Sequence, residues 1–167
     1  MQYIIREQSS LLSREMSIED HRGHQVFKAH GPVVRVRDEL HVLDAQGDEQ
    51  AYIKDPVLGD SSTFEIYRGG AHFADVKAVA VGNLLEGYDI VVRARGDEPF
   101  HARGDMFERD FTISHHGQQA ARVRRQHGTA LQVDTADGQD DLLLLAGVLA
   151  ISGMTDLRAR AASRQNT

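Results

Sequence analysis

The sequence contains neither cysteine nor tryptophan, and only 3 of its 167 residues are proline. Without cysteine the chain cannot form disulfide bonds, a thiolate nucleophile or a cysteine-ligated zinc site. This composition is compatible with a reducing compartment, and we expect a cytoplasmic location.

The sequence also lacks an excess of positive charge and a long hydrophobic run. The formal net charge is −6, whereas nucleic-acid-binding domains usually carry a basic surface, so no nucleic-acid partner is expected. The longest apolar run, Leu142 to Ile151, is about half of the ~20 residues that span a bilayer. Residues 1–7 lack the basic and apolar regions of a signal peptide. We therefore expect a soluble protein with no transmembrane segment.

Short stretches of alternating apolar and polar residues fill the chain from Met1 to about Val133. Phe64 and Ile66 are one example, and the Arg68-Gly69-Gly70 sequence that follows them is typical of a hairpin turn. About a dozen such stretches are separated by turn residues, which is the spacing of an antiparallel barrel or sandwich.

The character of the sequence changes after residue 136. Asp137 is placed to cap a helix, and Asp140 and Asp141 suit the positive end of its dipole. The following run is apolar on every face of a helix, so the helix must be surrounded by other elements. The residues that we predict to form this core helix are Leu142, Leu143, Leu144, Leu145, Val148, Leu149 and Ile151.

A closed antiparallel barrel of about twelve strands that encloses this C-terminal helix satisfies both patterns. Side chains alone fill a barrel of about eight strands, whereas about twelve strands leave room for a helix. The alternative is a β-sandwich with the helix at one end, which would leave one helix face in water. We assign residues 1–153 to the barrel domain, with the core helix near 139–153, and residues 154–167 to a polar, frayed C-terminal extension.

Several segments, in this order, resemble the LURP-one-related family, which shares its fold with the tubby C-terminal domain and the phospholipid scramblases. The turn and strand pieces and the acidic entry to the apolar helix together span nearly the whole chain. They are Lys28–Gly31, Leu43–Lys54, Thr63–Gly70, Ala102–Ile113, His116–Ala121 and Val133–Asp141.

This resemblance implies a twelve-stranded barrel around a C-terminal helix, and it implies no reaction, because the family has no established one. Two features depart from the family. Relatives commonly have an aromatic residue, often tryptophan, near Met106 and Phe107, and this chain has no tryptophan. The segment Ala78–Glu86, interpreted as a loop, is also individual.

No arrangement of residues indicates catalysis, a cofactor or a metal. The sequence contains neither a Gly-x-Ser-x-Gly motif nor a phosphate-binding glycine loop. Its nine histidines lack helical His-x-x-x-His spacing, and the side chains of His115 and His116 are expected to diverge from a turn. Two Arg-Gly-Asp sequences are interpreted as chance or turn structure. We expect a protein that is not an enzyme and needs no cofactor.

Paired arginines provide the one candidate binding surface. If the neighbouring valines, isoleucines and alanines point inward, the two-residue period of a strand directs these arginines outward, where they could bind phosphate oxygens. The candidates are Arg35, Arg37, Arg93, Arg95, Arg122 and Arg124. The tubby-like resemblance points to the same kind of ligand, since those barrels recognise phosphoinositide headgroups.

Two functions remain open at this point. The first is a non-enzymatic binding module whose outer wall or barrel mouth engages an anionic phospholipid headgroup, at the periphery of a membrane, or a protein. The alternative is a structural or regulatory protein-interaction domain with no small ligand. A solvated barrel wall, with acidic residues between the arginines, is the simplest explanation of the arginine pattern itself.

Overall fold

A computed structural model of the protein describes residues 1–8, 13–32, 39–56, 61–94 and 96–165. Arg35, Arg37 and Arg95 lie outside these residues, so the structure gives no information on three of the six candidate arginines. The described residues form twelve strands and one helix: β1 (Gln2–Glu7), β2 (Ser13–Asp20), β3 (Gln25–Pro32), β4 (Glu39–Asp44), β5 (Glu49–Lys54), β6 (Thr63–Arg68), β7 (Ala71–Val81), β8 (Leu84–Val92), β9 (Phe100–Asp105), β10 (Asp110–His115), β11 (Gln118–Arg125), β12 (Leu131–Thr135) and α1 (Asp141–Gln165).

The strands form a closed antiparallel barrel in sequence order. Each strand pairs with the next one along the chain, and β1 pairs with β12 to close the sheet. The predicted fold class is therefore confirmed. Positive φ angles at Gly69 (57°) and Gly70 (78°) close the β6–β7 hairpin, as the two glycines predicted.

The interpretation of Ala78–Glu86 as a loop is wrong. The strands β7 and β8 continue through this segment until Val81 pairs with Leu84, and only Gly82 and Asn83 form the turn. Gly82, with a φ of 59°, supplies the left-handed conformation that such a short turn requires.

The helix α1 is capped by Asp140 and not by Asp137. The Asp140 Oδ1 accepts a hydrogen bond from the Leu143 N–H at 3.1 Å, which satisfies one of the free donors of the first turn. Asp137 precedes a turn at Gly138, whose φ is 77°, and the helix begins at Asp141. The sequence contains three aspartates near this point, so composition alone could not distinguish the capping one.

The barrel encloses the apolar part of α1 on all sides. Residues Leu143 to Ile151 are all buried, and Leu142 is partly buried at the edge. Gly147 allows the closest approach, because an added Cβ would lie 2.5 Å from the Ile90 Cδ1. Length and hydropathy alone would let α1 cross a membrane, but 67% of its apolar window is buried within the protein.

The helix continues to Gln165 and does not end at Gly153, where the sequence pattern placed the end of the core helix. Met154 and Thr155 are buried, so the enclosed part extends beyond the predicted boundary, and residues 160–165 are exposed. The buried Tyr88 hydroxyl lies 2.9 Å from the Thr155 Oγ1, which connects this turn of the helix to β8.

Because successive hairpins alternate between the ends of an antiparallel barrel, the two ends carry different connections. The entry end, where α1 begins, carries the turns at residues 21–24, 45–48, 69–70 and 116–117 and the connection from β8 to β9. The exit end, where α1 leaves, carries the turns at residues 82–83, 106–109 and 126–130. The candidate sites lie at these two ends.

Candidate functional site at the exit end of the barrel

The three candidate arginines that the structure describes lie on the outer wall, each beside a carboxylate. Arg122 is paired with Asp110, and its Nη1 also donates to the Phe111 carbonyl at 2.8 Å. The Arg124 Nη2 is 3.7 Å from the Asp134 Oδ2. The Arg93 Nη1 is 3.2 Å from the Asp75 Oδ2. Each guanidinium charge is thus balanced locally.

These three arginines do not form one patch. Arg93 follows β8, and β9 and β10 separate that strand from β11. The strand pairings from β11 through β10 and β9 to β8 place Arg122 at the same level of the barrel as Gly87. Gly87 precedes Arg93 by six residues, so Arg122 and Arg93 are offset by about 20 Å along the strand direction. A wall surface that includes Arg35, Arg37 and Arg95 stays a prediction.

A different group of arginines surrounds a cavity at the exit end. We call Arg14, Arg109 and Arg125 the arginine mouth. The cavity has a volume of about 160 Å³, large enough for about five water molecules at about 30 Å³ each. Four apolar side chains contribute to its lining: Ile5, Met16, Leu131 and Leu149.

Arg109 is held in place by the tight β9–β10 turn, where its φ is 57°. Its Nη1 donates to the Met106 carbonyl at 3.1 Å, and its Nη2 donates to the Ser152 carbonyl at 3.2 Å and to the Asp156 Oδ1 at 2.6 Å. Only 12% of the side chain is exposed. The guanidinium therefore connects the turn to α1 and holds a positive charge at the cavity.

Arg14, on β2, is also largely buried, with 11% of its side chain exposed. Its Nε is 3.2 Å from the Glu7 Oε1, and its Nη2 is 3.8 Å from the Asp156 Oδ2. Asp156 thus lies between the guanidinium groups of Arg14 and Arg109, and water screens these charges less than it would at the surface.

Arg125 gives the cavity its excess of positive charge. Ala121 and Val123 point into the barrel, and the two-residue period places Arg125 on the same side, at the rim. Its Nη2 donates to the Phe107 carbonyl at 3.3 Å, and among the described residues it forms no ion pair with a carboxylate. Among the described residues that line the cavity, three guanidinium groups thus face two carboxylates, those of Glu7 and Asp156.

The arginine mouth was missed in the sequence, although one signal for it is present. The alternation Ala121, Val123, Arg125 predicts that the third residue points inward at the end of the strand. Arg14 carries the same signal at the start of β2, because it shares the two-residue period of the inward Met16 and Ile18. Arg109 lies in a turn and carries no such signal, and the convergence of the three side chains depends on the position of α1 in the barrel.

Exposed apolar side chains lie at the same end. Val81 and Leu84, at the tip of the β7–β8 hairpin, are 66% and 70% exposed, and Phe107 in the β9–β10 turn is 46% exposed. Phe107 also borders the arginine mouth, because its carbonyl accepts the bond from Arg125. The exit end therefore combines positive charge with exposed apolar groups.

At the entry end, the expectation that His115 and His116 diverge is wrong. Their ring centroids are 4.0 Å apart, and both rings face Asp97. His116 has a φ of 52° and Gly117 of 73°, so the turn returns the chain sharply and brings the two side chains together. Phe100 stacks on His115 with a centroid distance of 3.9 Å.

A closed barrel around a buried helix, with charged cavities at its ends, is the fold of a binding domain. The family model of the LURP-one-related proteins matches residues 1–152. The chain belongs to the LURP-one-related family, as its sequence resemblance predicted.

A solved structure supports the fold independently. The chain is similar to a protein from Arabidopsis thaliana with a TM-score of 0.66 and 16% sequence identity, over 93% of this chain and 91% of the other. At this identity the similarity shows the fold alone. No protein in a search of curated proteins matches the chain.

Proposed function

We propose that this protein is a non-enzymatic binding domain that docks on a membrane with its exit end. In this proposal the arginine mouth takes the anionic headgroup of a phospholipid. The observation that carries the proposal is the excess guanidinium charge at this cavity, beside the exposed Phe107 and at the same end of the barrel as the exposed Val81 and Leu84. The docked protein lies at the cytoplasmic face, as a peripheral membrane protein.

The chemistry of the mouth suits a phosphate group. A guanidinium can donate two parallel hydrogen bonds to phosphate oxygens, and the bonds are stronger because both partners are charged. Arg14 and Arg109 are fixed by their contacts with Glu7 and Asp156, so they lose little conformational freedom on binding. Arg125, whose described contact is to the Phe107 carbonyl and not to a carboxylate, can turn its other N–H groups to the ligand.

The apolar residues suit the surface of a bilayer. Val81 and Leu84 lie at the tip of a hairpin, where they can enter the headgroup region while the barrel stays in water. Phe107 lies beside the mouth, so insertion of its ring and binding of a headgroup would occur at the same depth. A free phosphate compound would not use these apolar contacts.

Flotation with lipid vesicles tests the proposal. We expect the protein to bind vesicles that contain phosphatidylserine or a phosphoinositide, not neutral phosphatidylcholine vesicles, and to dissociate as salt increases. Arg125→Ala should lower the partition coefficient about five-fold, since one arginine near an anionic surface contributes about 1 kcal/mol. Arg124→Ala is the matched control: it removes the same charge one residue away, on the outer wall beside Asp134.

Two further measurements separate lipid from other ligands. Leu84→Asp should weaken vesicle binding without any effect on the binding of a soluble inositol phosphate. If the inositol phosphate binds and vesicles do not, the ligand is a free phosphate compound and membrane docking is wrong. If neither binds, the headgroup proposal fails, and a protein partner becomes the function to test at the exit end.

A further inference from the structure

We infer that the entry end of the barrel holds a binding site for a divalent transition-metal ion, zinc in the first place, with Asp97, His115 and His116 as ligands. This site lies at the opposite end of the barrel from the arginine mouth. It therefore stands or fails independently of the proposed lipid binding.

The ligand atoms are already at the spacing that a metal ion requires. The His116 Nε2 is 3.1 Å from the Asp97 Oδ1, and the His115 Nε2 is 3.5 Å from the Asp97 Oδ2. The His115 Nε2 also lies 3.0 Å from the Glu98 carbonyl oxygen, and a bond to the metal would replace this hydrogen bond. One ligand atom from each residue lies within 4.8 Å of the other two. Ligand atoms bound tetrahedrally at 2.0–2.1 Å are about 3.3 Å apart, so only small movements are needed to close around zinc.

A second layer of contacts orients these ligands. The Glu98 Oε2 is 3.2 Å from the His116 Nδ1, the ring nitrogen that points away from the site. A carboxylate at that position fixes the histidine tautomer whose Nε2 is available to a metal. Glu98 is itself connected through His101 to Asp89, with distances of 3.4 Å and 2.9 Å.

Asp97 and His115 are also held by contacts of their own. The Asp97 Oδ1 accepts a hydrogen bond from the Glu98 N–H at 2.8 Å, which orients the carboxylate. His115 is held by stacking against Phe100, and 17% of its side chain is exposed. Two imidazoles and one carboxylate are a common ligand set for zinc.

The coordination positions that remain open have access to a cavity. Asp97 and His115 both line a cavity of about 410 Å³ at the entry end, together with the apolar side chains of Phe73, Val92 and Leu143. Water or a small ligand could therefore complete the coordination shell from this side.

A second group with the same kinds of residues provides a contrast. Glu65, His72 and Asp75 are also close together on the outer wall. This group offers only one imidazole, and its carboxylates are already near cations, with Glu65 3.9 Å from the Lys54 Nζ and Asp75 3.2 Å from the Arg93 Nη1. We expect no transition-metal site there.

Calorimetric titration of the untagged, metal-free protein with zinc chloride tests the inference. We expect one zinc ion per chain, with an affinity that falls about ten-fold or more in His115→Gln, in His116→Gln and in Asp97→Asn. His72→Gln is the matched control and should bind zinc as the wild type does. Cobalt(II) should give the intense visible absorption of a tetrahedral site in the wild type and not in His116→Gln.

The inference is overturned if the wild type binds no zinc, or if His72→Gln weakens binding as much as His115→Gln does. Circular dichroism of each variant excludes loss of folding as the cause of weaker binding. Should a histidine variant fail to fold, Asp97→Asn decides the question, because it keeps the shape of the side chain while removing the charge.

Discussion

At the scale of single residues, two buried tyrosines connect the barrel wall to the helix. Thr155 donates its hydroxyl hydrogen to the Ile151 carbonyl at 2.7 Å, so in the contact with Tyr88 the tyrosine is the donor. The Tyr3 hydroxyl donates to the Asp141 Oδ2 at 2.6 Å. These bonds fix the two ends of the enclosed segment of α1 to β8 and β1.

Tyr3→Phe should lower the free energy of unfolding by about 1.5 kcal/mol at pH 8, because it removes a partly buried hydrogen bond to a carboxylate. Burial, and then the bond to Asp141, raise the pKa of Tyr3, whereas the unfolded chain ionises near 10. The contribution of the Tyr3 hydroxyl to the free energy of unfolding is thus fully present below pH 10. It decreases above pH 10, because the unfolded chain then ionises at Tyr3 while the folded chain does not.

Urea unfolding of wild type and Tyr3→Phe between pH 8 and pH 11 measures this effect. The difference in stability between the two proteins should decrease as the pH rises above 10. A difference that is constant over this range would show that the Tyr3 hydroxyl ionises equally in the folded and unfolded chains.

At the scale of elements, the enclosure of α1 is the main feature of the fold. The residues from Leu143 to Ile151 contact the barrel on every face, so the helix serves as the core of the domain. A helix of this hydropathy on a surface, or in a sandwich, would leave one face in water. The enclosed part extends to Thr155, and the last residues, 160–165, are exposed.

Two identical substitutions in this helix test the enclosure. Ala150 is fully buried and Ala161 is exposed. Ala150→Asp would place an unpaired carboxylate in the apolar core, so we expect a loss of several kcal/mol or failure to fold. Ala161→Asp should change the stability by about 0.5 kcal/mol or less.

Thermal unfolding followed by circular dichroism compares the two variants. Similar melting temperatures for both variants would mean that residue 150 has access to water, and the enclosed-helix fold would then be wrong.

At the scale of the whole molecule, much of the architecture followed from two patterns in the sequence. Alternation of apolar residues predicted the strands, and the run that is apolar on every helical face predicted enclosure in a barrel, which the structure confirms. The boundary at Gly153 could not be predicted, because Thr155 is polar and becomes buried through its bonds to Ile151 and Tyr88.

The sites were less predictable because they depend on contacts between distant elements. Arg14, Arg109 and Asp156 come from a strand, a turn and the helix, and no local pattern relates them. Asp97 meets His116 through a contact between two separate turns. Local alternation identified outward arginines such as Arg122, but it could not show that each has its own carboxylate partner.

In the described part of the chain, the arginine mouth and the exposed Val81, Leu84 and Phe107 lie at the exit end, and this gives the proposed docking a direction. The absence of cysteine allows one labelled cysteine to be introduced without background. Asn83 lies in the exposed tip of the β7–β8 hairpin at the exit end, and Gln46 lies in an exposed turn at the entry end. An environment-sensitive fluorophore at either position reports contact with the bilayer.

The most direct measurement compares labelled Asn83→Cys and Gln46→Cys on anionic vesicles, with the fluorescence quenched by brominated lipids. The account predicts a blue shift and quenching at position 83, and neither at position 46. Equal effects at both positions, an effect at position 46 alone, or no effect at either would contradict docking through the exit end.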